Sequence, residues 1–248
     1  MNAQPCKTQP HTHRESGNVF FYLFVAVALL GALSFAVSHS ARQTGKGLIE
    51  DRAQLAASEL ISYGDTVAKA VGQMRLRGIR PYQLSFAHPQ AHAGYGTYDT
   101  RPTAEVFNPQ GGGVIYHEPP ILAGSGTPLT YNYVGAYAIE NIGLTGCMLP
   151  SAPPADCAEL VLSVSGLNET TCRIINDLLD IAERDAAPPE DPEAPLTPRF
   201  AGNAAGAPDP FTYTATIGTG GSAAPLRGRT AACYKNGSTY IYYQVLIA

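Results

Sequence analysis

The chain has 248 residues, a formal net charge of −4 and a charged fraction of 15%, below the roughly 25% that is usual in soluble domains. A weakly acidic chain without clustered Lys and Arg lacks the basic surface that nucleic-acid-binding proteins use, so we expect no nucleic-acid partner. The 25 glycines and 20 prolines indicate a domain that is rich in loops.

Residues 1–17 form a polar leader, and residues 18–38 form a strongly apolar segment with no charged side chain. A helix of about 20 apolar residues is about 30 Å long, which matches the hydrocarbon core of a bilayer. The aromatic residues at 20–22 are typical of a membrane interface. We therefore predict a transmembrane helix at 18–38, with the lipid bilayer as a partner. The alternative is a cleaved signal peptide, with a small-residue cleavage site ahead of Ala41.

Residues 39–80 are predicted to extend this helix as an amphipathic segment. Between Leu48 and Arg77 there is no proline, and apolar residues recur at three- and four-residue steps, as they do on one face of a helix. Gly78 and Pro81 follow and are predicted to end the helix. The apolar face consists of Ala56, Leu60, Tyr63, Val67, Val71 and Met74.

Residues 81–248 alternate turn-forming residues with short aromatic and β-branched segments, which is the pattern of a β-rich domain. A helix is predicted at 168–181, because Asn168 is a good N-cap and the apolar residues that follow share one face. The predicted fold class is α+β, with the long N-terminal helix packed on a mainly antiparallel sheet. The predicted strands are 82–86, 104–107, 113–117, 131–143, 211–217 and 238–248; segment 159–166 is a strand or the start of a helix, and glycines 111–113 form a tight turn between two strands.

Four of the five cysteines follow the apolar segment, and Cys6 stands alone before it. An even number of cysteines without metal-ligand spacing indicates disulfides and an oxidising compartment for this part of the chain. Of the three possible pairings we favour Cys147–Cys157, which closes a short proline-rich loop, together with Cys172–Cys233, which ties the predicted helix to the final strand. Buried free thiols are the alternative.

Small residues occur among the large ones of the apolar segment. Ala28 and Ala32 are four positions apart on one helix face, with Gly31 beside them. Small residues allow apolar helices to approach each other closely. We therefore predict that Ala28, Gly31 and Ala32 contact another helix.

No arrangement of residues in the sequence indicates catalysis, so we expect neither an enzyme nor a metal site nor a cofactor. His88 and His92 have a spacing that suits a metal site on a helix, but Pro89 between them favours a loop. The glycine clusters at 111–113 and 218–221 lack the Lys-Ser/Thr of a phosphate loop. The remaining candidates are the adjacent His117 and Glu118, the acidic run at 183–193, and two glycosylation tripeptides at Asn168 and Asn236.

The order of these segments resembles that of type IV pilins and pseudopilins: a leader that ends in Gly17, an apolar helix, an amphipathic extension and a disulfide-containing β-rich domain. The resemblance implies cleavage between Gly17 and Asn18 and packing of the apolar helices in the core of a filament. It also implies a single-pass protein of the bacterial inner membrane, with residues 81–248 in the periplasm or outside the cell. Other pilin-like subunits are the implied partners.

The chain departs from the family pattern at two positions. The family usually has Phe or Met at the first mature position and Glu at the fifth, where this chain has Asn18 and Tyr22. In the family that glutamate offsets a neighbouring N-terminal amine inside the apolar core, where an unpaired charge is costly. The implied role is therefore that of a minor pilin or pseudopilin. The alternative function is a monomeric, membrane-anchored binding or sensor domain outside the cytoplasm.

Overall fold

The computed structural model describes residues 19–90, 95–126, 128–142, 158–197, 199–200, 211 and 213–248, with the backbone but not the side chains of 36–46. The chain divides into two compact units, Met1–Leu48 and Ile49–Ala248. Four residues with predicted roles in cleavage or in a disulfide, Gly17, Asn18, Cys147 and Cys157, lie outside the described residues.

The longest element is α1, an α-helix of 58 residues over Val19–Leu76. The helix ends in two hydrogen bonds: the Ile79 N–H donates to the Met74 carbonyl at 3.1 Å, and the Gly78 N–H donates to the Arg75 carbonyl at 2.9 Å. These are the bonds of a Schellman motif, which needs a left-handed residue, and Gly78 has a φ of 91°. The long helix predicted to continue through 39–80 is present but ends at Leu76, and Gly78 permits this end because glycine adopts this φ without strain.

The described part of the second unit contains a five-stranded sheet with the strand order β3-β1-β2-β5-β4. Neighbouring strands are antiparallel, except that β1 and β3 are parallel. The predicted α+β class and the mainly antiparallel sheet are therefore confirmed, and segment 159–166 is a strand. The strands are β1 Tyr131–Ile139, β2 Glu159–Leu167, β3 Ala215–Ile217, β4 Ala231–Asn236 and β5 Thr239–Ile247.

Helix α2, Glu169–Leu178, follows β2 after one residue. That residue, Asn168, is the N-cap, and its Oδ1 accepts a hydrogen bond from the Thr171 N–H at 2.8 Å. The Asn168 amide also donates to three carbonyls of a neighbouring loop, those of residues 122, 123 and 124. The helix predicted at 168–181 is confirmed, with its end at Leu178.

Three predicted strands, 82–86, 104–107 and 113–117, are not strands in the structure. Short 3-10 turns begin at Pro81 and Pro102, and the first two segments meet in a single isolated bridge between Ser85 and Glu105. Proline cannot donate a backbone hydrogen bond, so these segments form no ladder. Glycines 111–113 form a turn, but its role differs from the prediction. A Cβ at Gly111 would lie 2.1 Å from the Glu105 carbonyl oxygen, so glycine permits close contact between two loops.

Each face of the sheet contributes to its own buried cluster. Adjacent residues such as Val161 and Leu162 belong to opposite clusters, because successive side chains of a strand point to opposite faces. One cluster combines the face of β2 that carries Leu162 with residues of α1 and α2, including Leu60, Val67, Met74, Cys172 and Ile175. The other combines the opposite face with loop residues, including Ala194, Leu196, Ala223 and Leu226.

Candidate functional site

The first unit presents an apolar helical surface. Every side chain from Val19 to Phe35 is exposed and uncharged, and Phe20 and Phe24 are each 80% exposed. Large exposed apolar surfaces mark sites of contact with a membrane or another protein. Nowhere in the described ranges does a helix reach both the length and the apolar character that crossing a membrane requires.

The predicted helix-contact residues Ala28, Gly31 and Ala32 lie on this exposed part of α1. A Cβ added at Gly31 would meet no atom within 4 Å. Ala28 also lines a shallow apolar depression of about 370 Å³, together with Phe20, Phe21, Phe24 and Val25. The surface is open to a partner, and the contact itself stays a prediction.

The second unit has an open groove of about 590 Å³ between the C-terminal half of α1 and the segment 112–117. The walls carry polar groups of several kinds, including carboxylate, hydroxyl, ammonium, amide and imidazole. Such a mixture suits a ligand that combines polar groups with apolar ones. The α1 wall consists of Glu59, Ser62, Tyr63, Thr66, Lys69, Ala70 and Gln73, and the facing wall of Gly112, Gly113, Val114, Ile115 and His117.

Tyr63 lies at the base of this groove within an aromatic cluster. Its ring centroid is 4.2 Å from that of His117 and 4.5 Å from that of Tyr131. The Tyr63 hydroxyl faces the Tyr133 hydroxyl and the backbone N–H of His117, and the buried Tyr131 hydroxyl has no hydrogen-bond partner among the described residues. Burial raises the pKa of each of these three tyrosines above its usual value, because desolvation disfavours the phenolate. These hydroxyls are therefore neutral at physiological pH.

Three carboxylates are buried for reasons that the sequence does not reveal. Glu105 accepts hydrogen bonds from the Asp99 and Arg101 N–H groups, both at 3.0 Å, and so organises the loop ahead of it. Asp191 accepts from the Gly218 N–H at 2.8 Å. Glu159, in contrast, has only a backbone contact with Ile139, and neither of its oxygens has a hydrogen-bond partner of normal geometry in the described chain. The first two stabilise loops; the third is a buried acid whose single backbone contact does not offset its burial.

The predicted disulfide Cys172–Cys233 is present, with a Cα–Cα distance of 5.3 Å. It joins α2 to β4, a strand that sequence analysis missed. Asn176, one turn further along α2, reinforces the same junction: its amide donates to the Cys233 carbonyl at 2.8 Å, and its Oδ1 accepts from the Cys233 N–H at 2.9 Å. Nothing in the sequence around Asn176 indicates this role.

The other candidate residues are not brought together into a chemical site. The buried His88 stacks on Tyr116 with a centroid distance of 3.6 Å, and His92 lies outside the described residues. His117 approaches Glu59 at 3.9 Å. Both asparagines of the glycosylation tripeptides hold other segments by hydrogen bonds, Asn168 as an N-cap and Asn236 to the Asp191 carbonyl. Among the described residues, no group of three or more His, Cys, Asp or Glu side chains could hold a metal ion.

Comparison of the chain with protein-family models, with curated proteins and with solved structures finds no match.

Proposed function

We propose that the chain is a membrane-anchored, pilin-like structural subunit, a minor pilin or pseudopilin of a surface filament or a secretion-related pseudopilus. The observation that carries the proposal is the exposed, uncharged surface from Val19 to Phe35 at the start of α1. Removing apolar surface from water contributes about 25 cal/mol per Å². A bilayer, or a bundle of identical helices, removes this surface from water along its whole length.

The amphipathic half of the helix, residues 39–80, serves in this proposal to hold the β-rich domain to the anchor by packing on the sheet. Two contacts support that arrangement. The Tyr63 and Tyr131 rings lie 4.5 Å apart, and a Cβ at Gly64 would lie 2.9 Å from the Tyr242 hydroxyl oxygen. Glycine at position 64 thus allows close approach of helix and sheet.

The disulfide supports a location outside the cytoplasm. Disulfides form and persist in the periplasm and on cell surfaces, and they are rare in the reducing cytoplasm. The Cys172–Cys233 bond therefore favours an orientation in which residues 81–248 lie in the periplasm or outside the cell and the leader 1–17 lies in the cytoplasm.

A second candidate function is a monomeric, membrane-anchored binding or sensor domain. The groove beside Tyr63 favours it, because a subunit with a purely structural role needs no open polar groove of about 590 Å³. In this case the helix at 18–38 serves as an anchor and makes no contact with other helices.

The mature N-terminus distinguishes these functions. We expect mass spectrometry of the full chain, expressed in a bacterium that carries a prepilin peptidase, to find Asn18 as the first residue in the membrane fraction. As a control that the prepilin peptidase makes the cut, a Gly17→Val variant should remain uncut in the same fraction. An N-terminus at Ala41 in the soluble fraction would overturn the proposal, and an uncut membrane protein would favour the monomeric anchor.

A further inference from the structure

One wall of the groove beside Tyr63 has the features of an unpaired strand. Burial alternates along it: Val114 is buried, Ile115 is 83% exposed and Tyr116 is half-buried, as in an extended chain. The Val114 N–H donates to the Val106 carbonyl at 3.2 Å, and the His117 N–H faces the Tyr63 hydroxyl. No N–H from Ile115 to Glu118 donates to a backbone carbonyl within the described part of the chain, so the backbone pairing positions of this segment are open. Such unpaired extended segments are templates for pairing with another chain.

The facing wall is a polar stripe on α1. Glu59, Ser62, Thr66, Lys69 and Gln73 follow alternating steps of three and four residues, so they share one helix face. From the first to the last, the stripe is about 21 Å long. An extended chain of about six residues has the same length.

Two residues of the stripe, Glu59 and Lys69, are charged. Lys69 forms no ion pair within the described residues, and Glu59 faces a single imidazole, that of His117, at 3.9 Å. Lys69 lies ten positions after Glu59 on the helix, so the two residues are about 15 Å apart along the helix axis. In an extended peptide, residues i and i+4 point to the same side and lie about 13 Å apart.

We infer that this groove binds an extended segment of another polypeptide, which pairs with the backbone of residues 115–118 and presents a basic and an acidic side chain, four residues apart, to Glu59 and Lys69. Ile115 at the rim offers an apolar contact to a β-branched side chain of the segment. The inference does not depend on membrane anchoring, because every residue involved belongs to the unit Ile49–Ala248.

A selection experiment tests the charge spacing. The full chain in detergent micelles is used to select from a displayed library of random nine-residue peptides. We expect enrichment of peptides with Lys or Arg four positions from Asp or Glu, in one fixed order. The double variant E59K/K69E should select the opposite order. The control E50K/R77E changes two exposed charges outside the groove, one on α1 and one directly after its end, and should select the wild-type order.

Hydrogen exchange on the most enriched peptide tests the backbone pairing. With peptide in excess, the amides of residues 115–118 should exchange at least tenfold more slowly than in the free chain, while those of the turn at Gly237 should be unchanged. The inference is overturned if no charge spacing is enriched, if the charge-reversed variant selects the same order as wild type, or if residues 115–118 gain no protection. If Asn18 is not found at the mature N-terminus, the proposed function is affected but the inference about the groove is not.

Discussion

Glu159 is 4% exposed at the start of β2, and we expect its buried carboxyl group to couple stability to pH. Burial raises its pKa from 4.5 to about 8, because desolvation disfavours the charged form. Between these two pH values the native chain binds more protons than the unfolded chain, so the free energy of unfolding falls as pH rises through this window. We expect a loss of about 3–5 kcal/mol, which denaturant titrations at pH 5 and pH 8 would measure.

The variant E159Q isolates this effect, since an amide cannot titrate. Its unfolding free energy should change less between pH 5 and pH 8 than that of the wild type. A residual decrease is expected, because burial also raises the pKa of Asp191, which the variant retains. E50Q, at an exposed position on α1, should keep the wild-type profile. Equal pH profiles for E159Q and wild type would show that Glu159 is solvated in the native state.

Asn176 is the second residue whose contribution can be isolated. Replacement by Ala leaves the buried N–H and carbonyl of Cys233 without the partners described above, and each unsatisfied buried group costs about 1–3 kcal/mol. We expect N176A to lower the unfolding free energy by about 2–4 kcal/mol with the disulfide intact. D177N disrupts a half-buried surface pair with Arg184 and should cost about 1 kcal/mol or less. Similar losses in both variants would contradict the prediction.

Two glycines of α1 differ in their surroundings and form a matched pair. A Cβ at Gly64 would lie 3.2 Å from Gln244 Cβ and 2.9 Å from the Tyr242 hydroxyl, whereas a Cβ at Gly72 would meet nothing within 4 Å. Gly→Ala in a helix interior contributes up to about 1 kcal/mol, and overpacking costs about 1–3 kcal/mol. We expect G72A to raise the thermal unfolding midpoint and G64A to lower it. A rise in both variants would mean that the helix and sheet are not in close contact.

The elements that could be predicted from sequence are those whose local signals agree. In α1, the apolar periodicity and the terminal Gly78 both indicate the same helix, and in β1 and β5 dense β-branched and aromatic residues indicate strands. β4 was missed because its residues, Ala231–Asn236, are small or polar at most positions and become a strand through pairing with β5. The prediction of strands at 82–86, 104–107 and 113–117 was wrong, although these segments have the amino-acid composition of strands. Prolines and closely packed glycines prevent them from forming a ladder, so they are loops.

The groove could not be predicted for a different reason. Its walls come from α1 and from a loop about fifty residues later, and their meeting depends on aromatic contacts such as Tyr63 with His117. His117 and Glu118 are neighbours in the sequence, which made them a candidate pair. In the structure His117 instead approaches Glu59, which is far from it in sequence. In contrast, Cys172–Cys233 was predictable because only four cysteines follow the apolar segment and they allow only three pairings.

On the scale of the whole molecule, the two units differ in how they treat their apolar side chains. Many apolar residues of the unit Ile49–Ala248 are buried in two clusters within the chain, although some, such as Leu76 and Ile115, are exposed. The described side chains of the unit Met1–Leu48 remain exposed up to Phe35. Under the proposed function, lipid or neighbouring helices would cover this continuous apolar surface.

Replacing the small residues of α1 distinguishes between these environments. Because no atom lies within 4 Å of a Cβ at Gly31, the double variant G31L/A32L should insert into membranes as well as the wild type does. Bulky side chains would prevent close helix approach, so we expect the yield of oligomers after crosslinking in the membrane to fall at least threefold. A26L adds a large residue on the opposite face and serves as the control, with a yield near that of wild type. If the double variant crosslinks as well as A26L does, or if the wild type forms no oligomer, the helix is an anchor only, and the monomeric binding domain becomes the better account.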